Sequence, residues 1–138
     1  MRHEKGVLDT SAVLRLNELE PGDLPIDAAI TTVTLAELSV GPLLAKEEEV
    51  RAARLSHAQR AETDYGEPIP FDVEAARAFA QVAADIRRSG RKPAARAFDA
   101  LIAATAKAAG LPLYTFNADD FRGVTGLDIV SLPPERSA

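Results

Sequence analysis

GVLDTSAVL, residues 6–14, is the stretch from which the architecture can be read. Gly6-Val-Leu-Asp9 has the length and apolar character of a short buried strand, and it stops on an acid. Thr10-Ser11 then offers an N-cap for a helix over Ala12 to Leu19, since a hydroxyl can accept from the free N–H groups of a first turn. A buried strand running straight into a helix is how a parallel sheet covered by helices begins.

Outward from there the alternation repeats. Pro21, Gly22 and Pro25 break the first helix, and Ile26 to Val33 suits a second strand, rich in β-branched residues. Thr34 with Glu37 three positions on resembles a capping box, opening a helix that carries Leu35, Leu38 and Leu43 and kinks at Gly41-Pro42. A charged helix follows from Lys46 to Thr63. Pro68 to Phe71 is a short extended piece, and Asp72 caps a helix whose apolar face reads Val73, Ala76, Phe79, Ala80, Ala83 and Ile86. Gly90 ends it, Arg91 to Ala95 is a loop, and a helix over Ala97 to Ala109 stops at Gly110. Leu111 to Phe116 and Leu127 to Leu132 are the last strands, with a turn at Asn117 to Arg122 between them. The expectation is an α/β fold: a three-layer α/β/α sandwich around a parallel sheet of four or five strands, one domain over 1–134, and a polar tail at 135–138.

Composition narrows the chemistry. The 138 residues contain no cysteine, which removes disulfides, thiolate metal sites and thiol catalysis, and suits a reducing cytoplasm. No apolar run reaches the length of a membrane helix, and the N-terminus has no signal-peptide core, so a cytoplasmic protein is expected. The net charge of −5 argues against generic nucleic-acid binding, unless several acids share a bound cation.

In such sheets ligands bind beyond the carboxyl ends of the strands, and acids fall at that edge. Asp9 ends the first strand, Glu37 follows the second, and Asp120 follows Leu111–Phe116. Asp99, near the start of its helix, is the sole acid between Ser89 and Thr115. Singly, each acid could be a helix-start or turn residue. Together, two like charges about 4 Å apart repel by ~4 kcal/mol at an effective dielectric near 20. Converging carboxylates therefore protonate or hold a cation, and oxygen-only donors favour Mg²⁺ or Mn²⁺ over Zn²⁺.

At these residues the sequence resembles a known family. VLDTSAVL (7–14), TLAEL (34–38), FDALIAATA (98–106) and YTFNADDF (114–121) are similar, in order and spacing, to the four acidic motifs of PIN-domain ribonucleases, nearest to the VapC toxin branch of bacterial toxin–antitoxin pairs. The resemblance implies an endoribonuclease that hydrolyses RNA phosphodiesters with metal-activated water. It implies Asp9, Glu37, Asp99 and Asp120 as metal-binding and catalytic acids, with Asn117 as a neutral further ligand and Asp119 exposed. It also implies Thr10, Ser11 and Thr115 as hydroxyls orienting the carboxylates, a VapB-like antitoxin as partner, and a homodimer.

Arg87, Arg88, Arg91, Lys92 and Arg96 form a basic cluster ahead of Asp99, suited to RNA phosphates and equally to a solvated helix end. Aromatics are 5% of the chain, too few for extensive base stacking. His3 and His57 lie outside the acidic motifs and are expected at the surface. Two other enzymes that place an acid after strand one fit less well. A haloacid-dehalogenase-like phosphatase needs a second Asp where Ser11 stands, and a response-regulator receiver needs a Lys that residues 127–138 do not contain. The alternative from another class is a PIN-like module that binds RNA or protein without cutting it.

Overall fold

The structure, a computed structural model, describes residues 3–92 and 96–133. Its regular elements are β1 (Lys5–Leu8), α1 (Thr10–Leu14), β2 (Asp27–Ala29), α2 (Thr32–Leu44), α3 (Glu48–Asp64), α4 (Val73–Arg88), α5 (Ala97–Ala109), β3 (Leu113–Thr115) and β4 (Ile129–Ser131). The strands pair in parallel in the order β2-β1-β3-β4.

Alternation along the strands builds the two outer layers. Val7, Leu113 and Ile129 point to one face and pack with Val82 and Ile86 of α4 and with Ile102, Ala103 and Ala106 of α5. Leu8, Tyr114 and Val130 point to the other, against Ala12 and Val13 of α1, Leu38 of α2 and Ala61 of α3. The expected three-layer sandwich is therefore present, with four strands. Gly6 is set by Tyr114: a Cβ at Gly6 would stand 2.6 Å from the Tyr114 ring, so only glycine lets that ring cross beside β1.

Several expected boundaries move. Asp9, rather than Thr10-Ser11, caps α1, which is a single short helix to Leu14 followed by a 3₁₀ turn at Leu16–Glu18. The second strand is Asp27–Ala29 instead of Ile26–Val33, and the cap of α2 is Thr31, whose hydroxyl accepts from the Thr34 N–H. Thr34 is thus inside the helix and Glu37 belongs to its second turn, so the expected capping box is absent. Helix α2 continues two residues past Pro42. The last strands are shorter than expected, Leu113–Thr115 and Ile129–Ser131.

Asp72 does cap α4, but the buried face is Ala75, Val82, Asp85 and Ile86 with Phe79 half-buried, while Val73, Ala76 and Ala80 are exposed. Alanines on every side of this helix give little contrast by which to place its face. Helix α5 has the expected limits, and Gly110 closes it in the left-handed region at φ 70°. Residues 93–95 of the expected loop, Pro134 and the tail 135–138 lie outside the described residues.

Candidate active site at the carboxyl edge of the sheet

Because all four strands are parallel, their carboxyl ends share one edge, and the starts of α1, α2 and α5 meet there. Asp9 stands at its centre, 2% exposed. Its Oδ1 accepts from Ser11 Oγ at 2.6 Å and from the Ala12 N–H at 2.9 Å, and the Thr115 hydroxyl also bonds it. Ser11 Oγ in turn accepts from the Phe116 N–H at 3.1 Å, tying the ends of β1 and β3 together. Burial outweighs these bonds and raises the Asp9 pKa.

Glu37 reaches the same edge from α2. Thr10 Oγ1 donates to its Oε1 at 2.7 Å, and Thr34 Oγ1 lies 3.1 Å from Thr10 Oγ1. With the single Thr10 proton on Glu37, Thr34 is the donor in that second bond. Burial, and then the charge of Asp9, raise the Glu37 pKa.

Asp99, in the first turn of α5, is pushed up to about 6 by burial and by the charges of Asp9 and Glu37, with Asp120 adding to the effect. Its side chain is 25% exposed, and the Arg96 guanidinium lies 3.8 Å from it. The same guanidinium lies 3.4 Å from Asp120, in the 3₁₀ turn Ala118–Phe121 after β3. The four acids named from the sequence thus converge on one edge. Asp119 and Asn117 are exposed, and the Asn117 backbone closes the turn, donating to Thr115 Oγ1 at 2.9 Å and accepting from the Asp120 N–H. Thr10, Ser11 and Thr115 each bond one of the converging acids.

The basic cluster divides. Arg96 sits among the acids. Arg87 and Arg88 close α4 at the opposite edge, where Arg88 pairs with Asp85, and Asp85 binds Thr125 ahead of β4. Lys92 is exposed, and Arg91 is half-buried with a buried Nη1 that has no hydrogen-bond partner among the described residues. His3 stacks edge-on against Tyr114. His57 is nearer the acids than its sequence position suggested: from α3 it lines a cavity of about 200 Å³ with Glu37 and Thr10.

Sequence reasoning also passed over Asp85, Phe98 and the capping role of Thr31, having given the cap to Thr34. The paired threonines 31 and 34 are each a plausible cap, and only the sheet decides between them. Asp85 was detectable as a carboxylate at helical spacing from Val82, once the buried face of α4 is placed correctly. Phe98 left no sequence signal beyond its place next to Asp99.

The donor set fits a hard divalent cation: four carboxylates and no sulfur, with pKa values raised at Asp9, Glu37 and Asp99 by burial first and, at Glu37 and Asp99, by neighbouring carboxylates as well. Arg96, bridging Asp99 and Asp120, shows where positive charge is drawn. Among the described residues no three His, Asp or Glu side chains already form a group that could hold a metal ion. Closing on one requires rotation of Asp99 and Asp120, which are half-buried and tied only by the long Arg96 pairs.

Fold and site together define a class. The family model described as "PIN domain" matches residues 6–127, and the chain belongs to that family. It is 38% identical over 130 residues to Ribonuclease VapC5 of Mycobacterium tuberculosis (strain ATCC 25618 / H37Rv), covering 92% of this chain and 93% of that protein. Ribonuclease VapC8 of M. tuberculosis (strain CDC 1551 / Oshkosh) is 34% identical over 103 residues, 74% of this chain and 90% of that one. Among solved structures, that of VapBC-5, a member of the VapBC family of toxin–antitoxin systems from M. tuberculosis, superposes with a TM-score of 0.78 at 36% identity, covering 94% of this chain and 99% of that chain.

Proposed function

We propose that this protein is a metal-dependent endoribonuclease, the toxin of a toxin–antitoxin pair, acting on RNA phosphodiester bonds at the edge defined by Asp9, Glu37, Asp99 and Asp120. The observation that carries the reading is the convergence of these acids, from four separate segments, with pKa values raised at Asp9, Glu37 and Asp99. Relatives named as ribonucleases, and a solved toxin–antitoxin complex of the same fold, support it.

The chain's own residues supply the positioning. Ser11, Thr115 and the α1 N–H groups hold Asp9 rigid, and Thr10 holds Glu37, so two of the four acids are fixed before any ligand arrives. Asp99 and Asp120 are the adjustable pair. Mg²⁺ or Mn²⁺ bound there would activate water and offset charge developing on the phosphate. Arg96, loosely paired and 57% exposed, can turn a guanidinium N–H to a phosphate oxygen without leaving the site. No side-chain base is required of His57, and Asn117, on the surface, is the weakest of the ligands proposed. A VapB-like antitoxin would silence the edge, homodimerisation accompanies this reading, and cytoplasmic RNA is the substrate pool.

The test is cleavage of total cellular RNA by the purified chain, with Mg²⁺ and with chelator, beside Asp99→Asn. Discrete fragments that require both the ion and Asp99 are expected. Equal cleavage by Asp99→Asn would overturn the site. Intact RNA binding with no cleavage under any condition would favour the non-catalytic module.

A further inference from the structure

Phe98 is 58% exposed, while each of the other six aromatic side chains is buried or half-buried. Leaving a phenyl ring in water forgoes the burial that normally pays for it, so its placement matters. It lines an open cavity of about 250 Å³ with Glu37, Arg96, Ala97 and Asp99. One small space therefore holds a flat apolar ring, a guanidinium only loosely paired among the described residues, and two of the four converging acids. That set has the three chemistries of a nucleotide: a face for the base, a cation for the phosphate, and acids beside the bond to be broken.

Resting on the ribonuclease reading above, we propose that Phe98 is the base-stacking residue of this site. It would hold one unpaired base of single-stranded RNA while Arg96 takes the adjoining phosphate. Stacking needs an unstacked base, so the geometry selects single-stranded loops or ends over duplex. The cavity has room for one base, which reconciles a chain poor in aromatics with a nucleic-acid ligand. Stacking is tolerant of base identity, so Phe98 contributes affinity and strandedness rather than sequence choice. The charged walls of the cavity favour this occupant over an apolar segment of a partner protein or of a second copy.

The experiment uses the full chain with Ca²⁺, an oxygen-seeking ion in place of Mg²⁺, and a short single-stranded RNA of mixed sequence carrying 2-aminopurine. Anisotropy reads affinity and 2-aminopurine quenching reads stacking. Phe98→Ala should weaken binding roughly tenfold and abolish quenching, at unchanged melting temperature because the ring is exposed. Phe98→Tyr should restore both, and a blunt duplex should bind wild type and Phe98→Ala alike. Equal binding and quenching by wild type and Phe98→Ala would overturn the stacking role and leave the ribonuclease reading standing. A defect that Phe98→Tyr does not restore would overturn it too. Weakened self-association of Phe98→Ala, with RNA binding intact, would reassign the ring to a contact between copies. No binding or cleavage of any RNA by wild type would remove the ribonuclease reading, and this proposal with it.

Discussion

Asp9 and Asp85 are the two acids buried outright among the described residues, at 2% and 3% exposure, and they sit at opposite edges of the same sheet. Asp85 is surrounded by donors: Gln81 Nε2 at 3.0 Å, the Thr125 N–H and hydroxyl each at 2.9 Å, and the Arg88 guanidinium. These bonds, the Thr125 N–H foremost, hold its carboxyl well below the usual range. Asp9 also has donors, yet burial raises its pKa, and its charge raises those of Glu37 and Asp99. The difference lies in the balance of donors against burial: at Asp85 the Thr125 N–H and its fellow donors outweigh burial, and at Asp9 burial outweighs the donors. Asp85 has Arg88 from its own helix, whereas the Asp9 edge collects four carboxylates around one loosely held Arg96. A carboxylate whose charge is already met is a structural pin, and a set whose charge is unmet is a site.

The largest effect that would test this contrast is Asp85→Ala. It leaves the Thr125 N–H and Arg88 without their partner and unpins the turn before β4, so a loss of about 3 kcal/mol is expected in chemical denaturation. Metal-dependent cleavage per folded molecule should not change. A loss under 1 kcal/mol would mean that the pin is not one.

The converse change, Asp99→Asn, should stabilise the metal-free chain at pH 7 by about 1 kcal/mol, because it relieves repulsion rather than breaking a pair. The same cause sets the pH dependence. Asp9, Glu37 and Asp99 bind protons more tightly folded than unfolded, and for Asp99 the native state holds its extra proton between the ordinary carboxylate range and about 6. Stability in chelator should therefore fall as pH rises through that window. Asp85, lowered, acts in the opposite sense and gives way only under more acid conditions. Melting temperatures in chelator from pH 4.5 to 7.5 check this, and a steady rise toward neutrality would contradict it.

The smallest expected effect is that of Arg96→Gln. Its pairs at 3.4 and 3.8 Å are long and partly exposed, so removing it should alter stability by less than about 0.5 kcal/mol. It should strengthen divalent-ion binding two- to threefold while weakening RNA binding, a split measurable by titration of each. Weaker binding of both would give Arg96 a structural role instead.

Much of this was legible because strong local signals agreed with the fold. The limits of α5, with Gly110 after it, the Asp72 cap and the parallel sheet all follow from residues whose chemistry permits one reading. The four acids fall together in space because their segments all reach the carboxyl edge. Elsewhere one residue can play two parts. Asp9 ends a strand and also caps a helix, which a reading that gave the cap to Thr10 and Ser11 could not anticipate. Ile30 to Val33 is β-branched throughout, yet strand gives way to helix where the Thr31 hydroxyl accepts from the Thr34 N–H and Thr34 meets Thr10. The basic cluster is contiguous in sequence but spans opposite edges of the sheet, so charge counting overstated its unity. Asp85 and Phe98 acquire meaning only from what the tertiary structure sets beside them, Thr125 in one case and Glu37 in the other.

The central claim is that the charge at the Asp9 edge is met by a divalent ion. The measurement that addresses it most directly is the melting temperature of wild type and Asp99→Asn at pH 7, in chelator and in millimolar Mn²⁺. The account predicts a rise of several degrees for wild type with Mn²⁺ and little or none for Asp99→Asn, which starts higher in chelator. No shift in wild type, or equal shifts in both proteins, would contradict it.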